Sequence, residues 1–441
     1  MSGPEFEHDL IATMLGYASI RTPWQTTLVG LAGAMTAAVT ASTPPDVHAQ
    51  TASHAGYADE QTVERNPADL NNRLARDDSI GDPLIATPRI DHLLAPWYEF
   101  KNRLRRERGL KFEFSYTALG QQANRSKSNS KGAAGGVAEF IATWTPKALP
   151  SAWEGRLGTR FNNQHRLGTG IPPDQLNSKI GSVWGTATSF DEDGGYPAEL
   201  WWRQKFGGDR LIMRVGKIDS SSFFDFLTLS DAFTGFISEP LAENAAIAFP
   251  DESLGAGGQF MLTEDVYISA GVFDANGGVR SFFDRSEYFR IVEAGWTPTF
   301  AGLGEGGISL TLWESDRREK ANVPTGRGFA ASAEQEIGDF LPFVRYGRSE
   351  STATTLKQTA AAGFGILRAF GRKNDVFGLG FTWGETFKRQ RRDQYGLEAY
   401  YSLQLTNELT MTPDLQVIIN PAENPTEDRI AIVGLRLRKD L

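Results

Sequence analysis

Residues 428–439 read DRIAIVGLRLRK, and the spacing in this run separates a packed core from a lipid-facing wall. Val433, Leu435 and Leu437 alternate with Gly434, Arg436 and Arg438. A strand sends successive side chains to opposite faces, so the apolar set shares one surface and the arginines the other. With the apolar set against hydrocarbon, both guanidinium groups stand in water inside a barrel, whereas the reverse would ask lipid to solvate them. The same period of two recurs far upstream. Phe112, Phe114 and Tyr116 alternate with Lys111, Glu113 and Ser115, and Leu211, Met213 and Val215 with Arg210, Ile212, Arg214 and Gly216. Tyr395, Leu397, Ala399, Tyr401, Leu403 and Leu405 alternate with Gly396, Glu398, Tyr400, Ser402 and Gln404.

Fifteen segments of this texture follow Gly109. Bacterial outer-membrane barrels carry an even number of strands, and about 330 residues divided among roughly sixteen strands leave about twenty for each strand and its turn. The expected fold is therefore all-β, a transmembrane antiparallel β-barrel of sixteen strands. Trp144, Trp184, Trp201, Trp202, Trp296, Trp313 and Trp383 lie in or near these segments and are expected to build interfacial girdles. A soluble β-sandwich or propeller also alternates, but no fixed blade period is present.

The chain has 441 residues, 45 Lys+Arg against 54 Asp+Glu for a formal charge of -9, and no cysteine. That excludes a disulfide scaffold, a thiol nucleophile and cysteine-ligated metal. No apolar run of transmembrane-helix length follows the first fifty positions, a test that is blind to barrels. Residues 1–49 read as a signal peptide: TTLVGLAGAMTAAVTA begins at Thr26, Arg21 precedes it, and Val47-His48-Ala49 offers the cleavage site. Glu5, Glu7 and Asp9 are unusual before such a segment and point to Met14 as an alternative start. Residues 50–109 form a polar leader and a short amphipathic helix, HLLAPWYEFKNRLRRERG from His92 to Gly109, with Leu93, Leu94, Trp97, Phe100 and Leu104 at helical spacing. Its basic end, Arg103, Arg105, Arg106 and Arg108, reads first as a solvated face, with contact to lipid phosphate or nucleic acid as the less favoured alternative, and the acidic chain argues against a nucleic-acid partner. Residues 110–441 are the barrel domain.

Three stretches carry a family resemblance: APWYEFKNRLRRERGLKFEFSY (95–116), ELWWRQKF with LIMRVGKID (199–219), and TPDLQVIINPAENP (412–425). Together they resemble the carbohydrate-selective porins of the Gram-negative outer membrane. The resemblance implies a monomeric or weakly associated channel for passive diffusion of glucose and related mono- or disaccharides, with inward loops forming a constriction and no cofactor. Outer-membrane lipid and the barrel assembly machinery are the implied partners, the latter meeting a chain that closes on Leu441 where the family commonly has an aromatic residue. A sugar needs paired donors and acceptors for its hydroxyls and aromatic faces for its C–H surface. The pore-lining candidates guided by the resemblance are Arg160, Arg203, Arg214, Lys217, Asp219, Glu398, Arg436 and Arg438, with Trp202 as a stacking ring.

Other functions have weaker support. There is no GxSxG nucleophile pattern, HExxH metal motif or complete phosphate loop. Asp191, Glu192 and Asp193 read as a solvated turn in preference to a calcium site or an acid/base pair, because neighbours in sequence are not opposed carboxylates. Pro421 and Pro425 read first as loop architecture, with sugar recognition by Asn420 or Glu423 as the minor alternative. The remaining alternative is a non-transporting barrel acting as a scaffold or surface-binding protein.

Overall fold

The computed structural model describes residues 83–147, 153–207, 210–283 and 286–441. The signal peptide and nearly all of the polar leader lie outside these residues. The first element is helix α1 (Pro88–Arg108), which begins with proline at its first turn and ends at Gly109. Gly109 has φ 70°, and its N–H caps the carbonyls of Arg105 and Leu104; a Cβ there would lie 2.1 Å from the Thr145 carbonyl oxygen. The chain then enters β1 (Leu110–Ala123), β2 (Gly132–Trp144), β3 (Gly155–Arg166), β4 (Gly194–Phe206), β5 (Leu211–Ile218) and β6 (Ser253–Met261). Next come β7 (Val266–Asp274), β8 (Tyr288–Trp296), β9 (Gly304–Ser315), β10 (Gly326–Gln335) and β11 (Phe340–Ser349). The wall is completed by β12 (Leu356–Leu367), β13 (Val376–Thr386), β14 (Gln394–Gln404), β15 (Leu409–Ile419) and β16 (Arg429–Asp440).

Each strand pairs antiparallel with its neighbours in sequence, and β16 returns to pair with β1, Asp440 opposite Ser115 and Ile432 opposite Ala123. Sixteen strands thus close the expected barrel. A two-residue strand, Thr299–Phe300, is a spur that pairs only with the start of β9. Closure satisfies every edge, which a sheet in hydrocarbon requires. The strand absent from the sequence-based count is β10, GRGFAASAEQ, whose outward side carries Phe329 among alanines.

The alternation in β16 resolves as expected: Val433 is 62% exposed on the outer face, while Arg436 and Arg438 are 2% and 5% exposed inside. Leu435→Arg is therefore expected to cost about 2–4 kcal/mol of folding free energy in lipid, the penalty for a charge on the lipid face. Denaturant titration in phospholipid vesicles with Leu435→Ala as reference checks this; equal stability of the two variants would place Leu435 away from lipid.

The tryptophan girdle needs correction. Trp144, Trp202, Trp296 and Trp383 are at least partly exposed on the outer face, whereas Trp184, Trp201 and Trp313 are buried inside. Adjacent strand residues cannot share a face, so Trp201 and Trp202 necessarily part. Trp184 belongs to a loop.

Connections differ between the two ends. The end at which β1 begins and β16 finishes has the short connections 207–210, 262–265, 336–339 and 405–408; the opposite end holds the long segments 167–193 and 219–252. Short turns mark the periplasmic side of such barrels. Both long segments turn back into the barrel, as Trp184, Phe190, Phe223, Phe224 and Phe236 are all buried there. Phe236 packs edge-on against Tyr400, with centroids 4.9 Å apart, and against Phe343 at 5.6 Å. Gly380 on the wall makes room: a Cβ there would stand 2.7 Å from Leu241.

Candidate functional site

The segment 219–252 crosses the lumen, and its backbone polar groups need partners once water is displaced. Wall side chains supply them. Glu398 of β14 accepts the Ile237 and Ser238 N–H groups at 2.7 and 3.0 Å, and Arg436 of β16 donates to the carbonyls of Ala232 and Gly235 at 2.5 and 3.0 Å. Across the barrel, Arg345 of β11 donates to the Asp225 carbonyl at 2.7 Å and Glu293 of β8 accepts the Asp225 N–H at 2.8 Å. Glu334 of β10 accepts from the Thr228 backbone and hydroxyl at 2.9 and 2.8 Å. The second long segment is tied similarly, with Gln121 and Gln416 donating to the Thr186 carbonyl at 3.0 and 2.8 Å.

Beside this crossing segment is a pocket open to solvent. Arg160, Asp219, Asp231, Glu243, Asn244 and Phe249 are among the residues that line it. Arg160 of β3 is its focus. The guanidinium lies 3.1 Å from Glu199, directly opposite in β4, 3.1 Å from Glu252 and 3.6 Å from Asp219. Acids thus outnumber the cation. Phe224, Phe226 and Phe233 add apolar lining.

The loop acids are held close together. Burial, reinforced by the nearby carboxylates of Asp219 and Glu239, pushes Glu243 up to about 8. Burial, with Asp191 next, pushes Asp174 up to about 7. An acid raised in this way is neutral below its pKa and charged above it. Raising the pH from 6 to 9 is therefore expected to add negative charge at the constriction and to increase cation over anion permeability with a midpoint near 8. Reversal potentials in a salt gradient check this, and Glu243→Gln is expected to remove the component near 8 and leave the one near 7 from Asp174. The same shift opposes folding, so stability declines as pH rises from the ordinary carboxylate range through about 8.

Of the sequence candidates, the structure brings Arg160 and Asp219 together at the cavity. Asp219 also caps the following turn, accepting from the Ser221 N–H at 3.0 Å and hydroxyl at 2.7 Å. Arg203 points inward but is enclosed, 3.1 Å from Glu154. Arg214 is buried under rings, 4.3 Å from the Trp201 centroid and 5.6 Å from that of Phe223. Lys217 donates to the carbonyls of Gly278 and Val279, both at 3.0 Å. Glu398 and Arg436 anchor the crossing segment. Arg438 is enclosed by Glu113 at 2.9 Å, Glu139 at 3.3 Å and Asp440 at 2.7 Å.

Trp202 is a correction. Its ring lies on the outer face across Gly155, in the same row as Leu200 and Leu157, because the inward position beside it belongs to Trp201. The acidic run has local ties: Asp191 accepts the Glu192 N–H at 2.9 Å, Glu192 pairs with Arg166, and the Asp193 carbonyl accepts from Arg280 at 2.6 Å. Glu243, Glu252, Asn244 and Phe249 were not legible as site residues, since they lie in an aperiodic loop whose place depends on the wall.

A closed sixteen-strand membrane barrel, narrowed by an inward segment that leaves charged and aromatic groups beside an open cavity, defines an outer-membrane porin. The chain belongs to the carbohydrate-selective porin, OprB family, whose sequence model matches residues 158–440. Among solved structures, Pseudomonas putida OprB at high pH superposes with a TM-score of 0.64 at 15% identity, covering 78% of this chain and 97% of that one. Porin AaxA of Chlamydia pneumoniae is 26% identical over 317 residues, 68% of this chain and 70% of the relative. Porin AaxA of Chlamydia felis is 27% identical over 252 residues, 54% and 56% of the respective chains.

Proposed function

We propose that this porin passes glucose and related mono- and disaccharides by passive diffusion, and that solute meets the protein at the cavity beside Arg160. The observation that carries this reading is the mixed lining: Arg160, Asp219 and Glu243 offer donors and acceptors, and the half-buried Phe226 and Phe249 offer apolar faces. Together these can replace part of a sugar's hydration without holding it tightly, as conduction requires. Among the earlier candidates, Arg160 and Asp219 act directly on solute; Glu398 and Arg436 act by holding the crossing segment. Arg203, Arg214, Lys217 and Arg438 set the field and stiffness of the wall. The barrel works as a monomer or weak homo-oligomer, delivered to the membrane by the barrel assembly machinery.

Bilayer conductance of the purified protein, titrated with a series of mono- and disaccharides, tests this. The expected result is an open ionic current reduced in a saturable way by sugar. A sealed barrel would favour the scaffold reading, and current unaffected by every sugar would overturn carbohydrate diffusion through this site.

A further inference from the structure

Helix α1 is not absorbed by the channel. It lies across the periplasmic rim: Leu84 and Ile85, just before it, donate backbone hydrogen bonds to Gln404 and Leu405, and Tyr98 reaches Glu408 at 3.3 Å. Trp97 packs on Phe112 and Phe114 of β1, with centroids 5.5 and 6.3 Å apart, and Phe100 packs on Phe112 at 6.3 Å. Phe112 and Phe114 belong to the outward row of β1, opposite the buried row of Glu113, Ser115 and Thr117. The helix therefore sits on the membrane side of the wall, at the level of the exposed rim residue Trp144.

Its apolar stripe is only partly covered. Leu93 is 76% exposed, Ile90 and Phe100 are exposed, and no residue of the helix is buried. These side chains continue the barrel's own lipid-facing aromatic patch, in which Phe114 meets Phe140 at 4.8 Å. The basic end follows directly. From Lys101 to Arg108 there are five basic residues against the single Glu107. Among the described residues, no carboxylate is in ion-pair range of Arg103, Arg106 or Arg108. Backbone contacts pin this end to the rim: the Arg108 carbonyl accepts from the Trp144 indole at 3.1 Å, and the Arg106 carbonyl accepts from Lys147.

We infer that α1 is an interfacial helix that lies in the periplasmic leaflet and binds anionic phospholipid, with acyl chains covering Leu93 and Phe100 and headgroup phosphates meeting Arg103, Arg106 and Arg108. Continuity with the barrel's lipid surface selects membrane lipid as the occupant, and the positive end selects a negative headgroup. A helix with an apolar stripe and a basic flank beside hydrocarbon is suited to the plane of the interface.

The test uses the full chain released from micelles containing equal phosphatidylglycerol and phosphatidylcholine, with retained lipid counted by native mass spectrometry. The chain is expected to keep phosphatidylglycerol preferentially, and the triple variant R103Q/R106Q/R108Q to lose that preference by more than about tenfold, since each basic residue near an anionic surface contributes roughly fivefold. Sugar-dependent conductance of the variant is expected to be unchanged, which separates this inference from the channel reading. Quenching of Trp97 by brominated acyl chains, taken against Trp97→Phe, is expected in vesicles and reports on the helix without altering its charges. Equal retention of the two lipids, an unchanged preference in the triple variant, displacement by millimolar inorganic phosphate, or absence of quenching would each overturn it.

Discussion

Replacing Glu398 with alanine is expected to widen the channel. The Glu398 carboxylate is the acceptor for two successive backbone N–H groups of the crossing segment, at 2.7 and 3.0 Å. Charge-assisted bonds of this kind contribute about 1.5–3 kcal/mol each, so losing both loosens the local attachment by about 3–6 kcal/mol. Two buried donors are left without partners, and water must enter to satisfy them. The segment then shifts from the β14 wall, single-channel conductance rises, and sugar block weakens because the lining residues move apart. Heat-modifiable gel mobility would verify that the barrel is folded. Unchanged conductance together with unchanged protease resistance of residues 219–252 would show that the neighbouring Arg436 contacts suffice alone; the Glu398→Ala/Arg436→Ala double variant measures how the two anchors share the load.

Arg160→Ala is expected to have the largest effect on ion selectivity. Its guanidinium is shared by Glu199, Glu252 and Asp219 within 3.6 Å. Removing it strands these acids without that cation, and breaking a buried ion pair from one side costs about 3–5 kcal/mol. Part of that cost can be relieved by taking up protons or cations, so the variant is expected to be less stable and distinctly more cation-selective. Arg160→Lys restores a positive charge but not the planar fork that reaches several carboxylates at once. It should recover most of the selectivity and only part of the stability. Reversal potentials and denaturant titration in vesicles measure the two quantities; a folded Arg160→Ala protein with unaltered selectivity would remove Arg160 from the conduction path.

The wall was far more legible than what fills it. A period of two reports directly on which face meets lipid, and the parity of Arg436, Arg438, Arg214 and Glu398 was readable because a charge selects its side. β10 escaped notice because its alanines give lipid little apolar contrast. Parity alone also cannot say what an inward residue meets. Arg436 and Glu398 face the lumen as expected, yet their partners are carbonyls and N–H groups of a segment about 160 to 200 positions away in sequence. Phe223, Phe224 and Phe236 are buried because the barrel encloses the segment that bears them, and no local spacing encodes that. Trp202 shows the opposite error, in which a chemically apt ring was assigned to the lumen although its position in β4 turns it outward.

The seam where β16 meets β1 has a further consequence. Every other pair of neighbouring strands is joined by a connection that limits how they can slide, but the first and last strands have no such tether, so their alignment must be recognised through side chains. Arg438 supplies that recognition: it reaches Thr117 at 3.2 Å and Glu113 at 2.9 Å on one side of the seam, and Glu139 at 3.3 Å one strand further on. A slip by one residue would carry the guanidinium from this carboxylate nest to the hydrocarbon side. The buried Arg438 thus acts as a key for the final closure, accepting one alignment of the two strands and rejecting its neighbours.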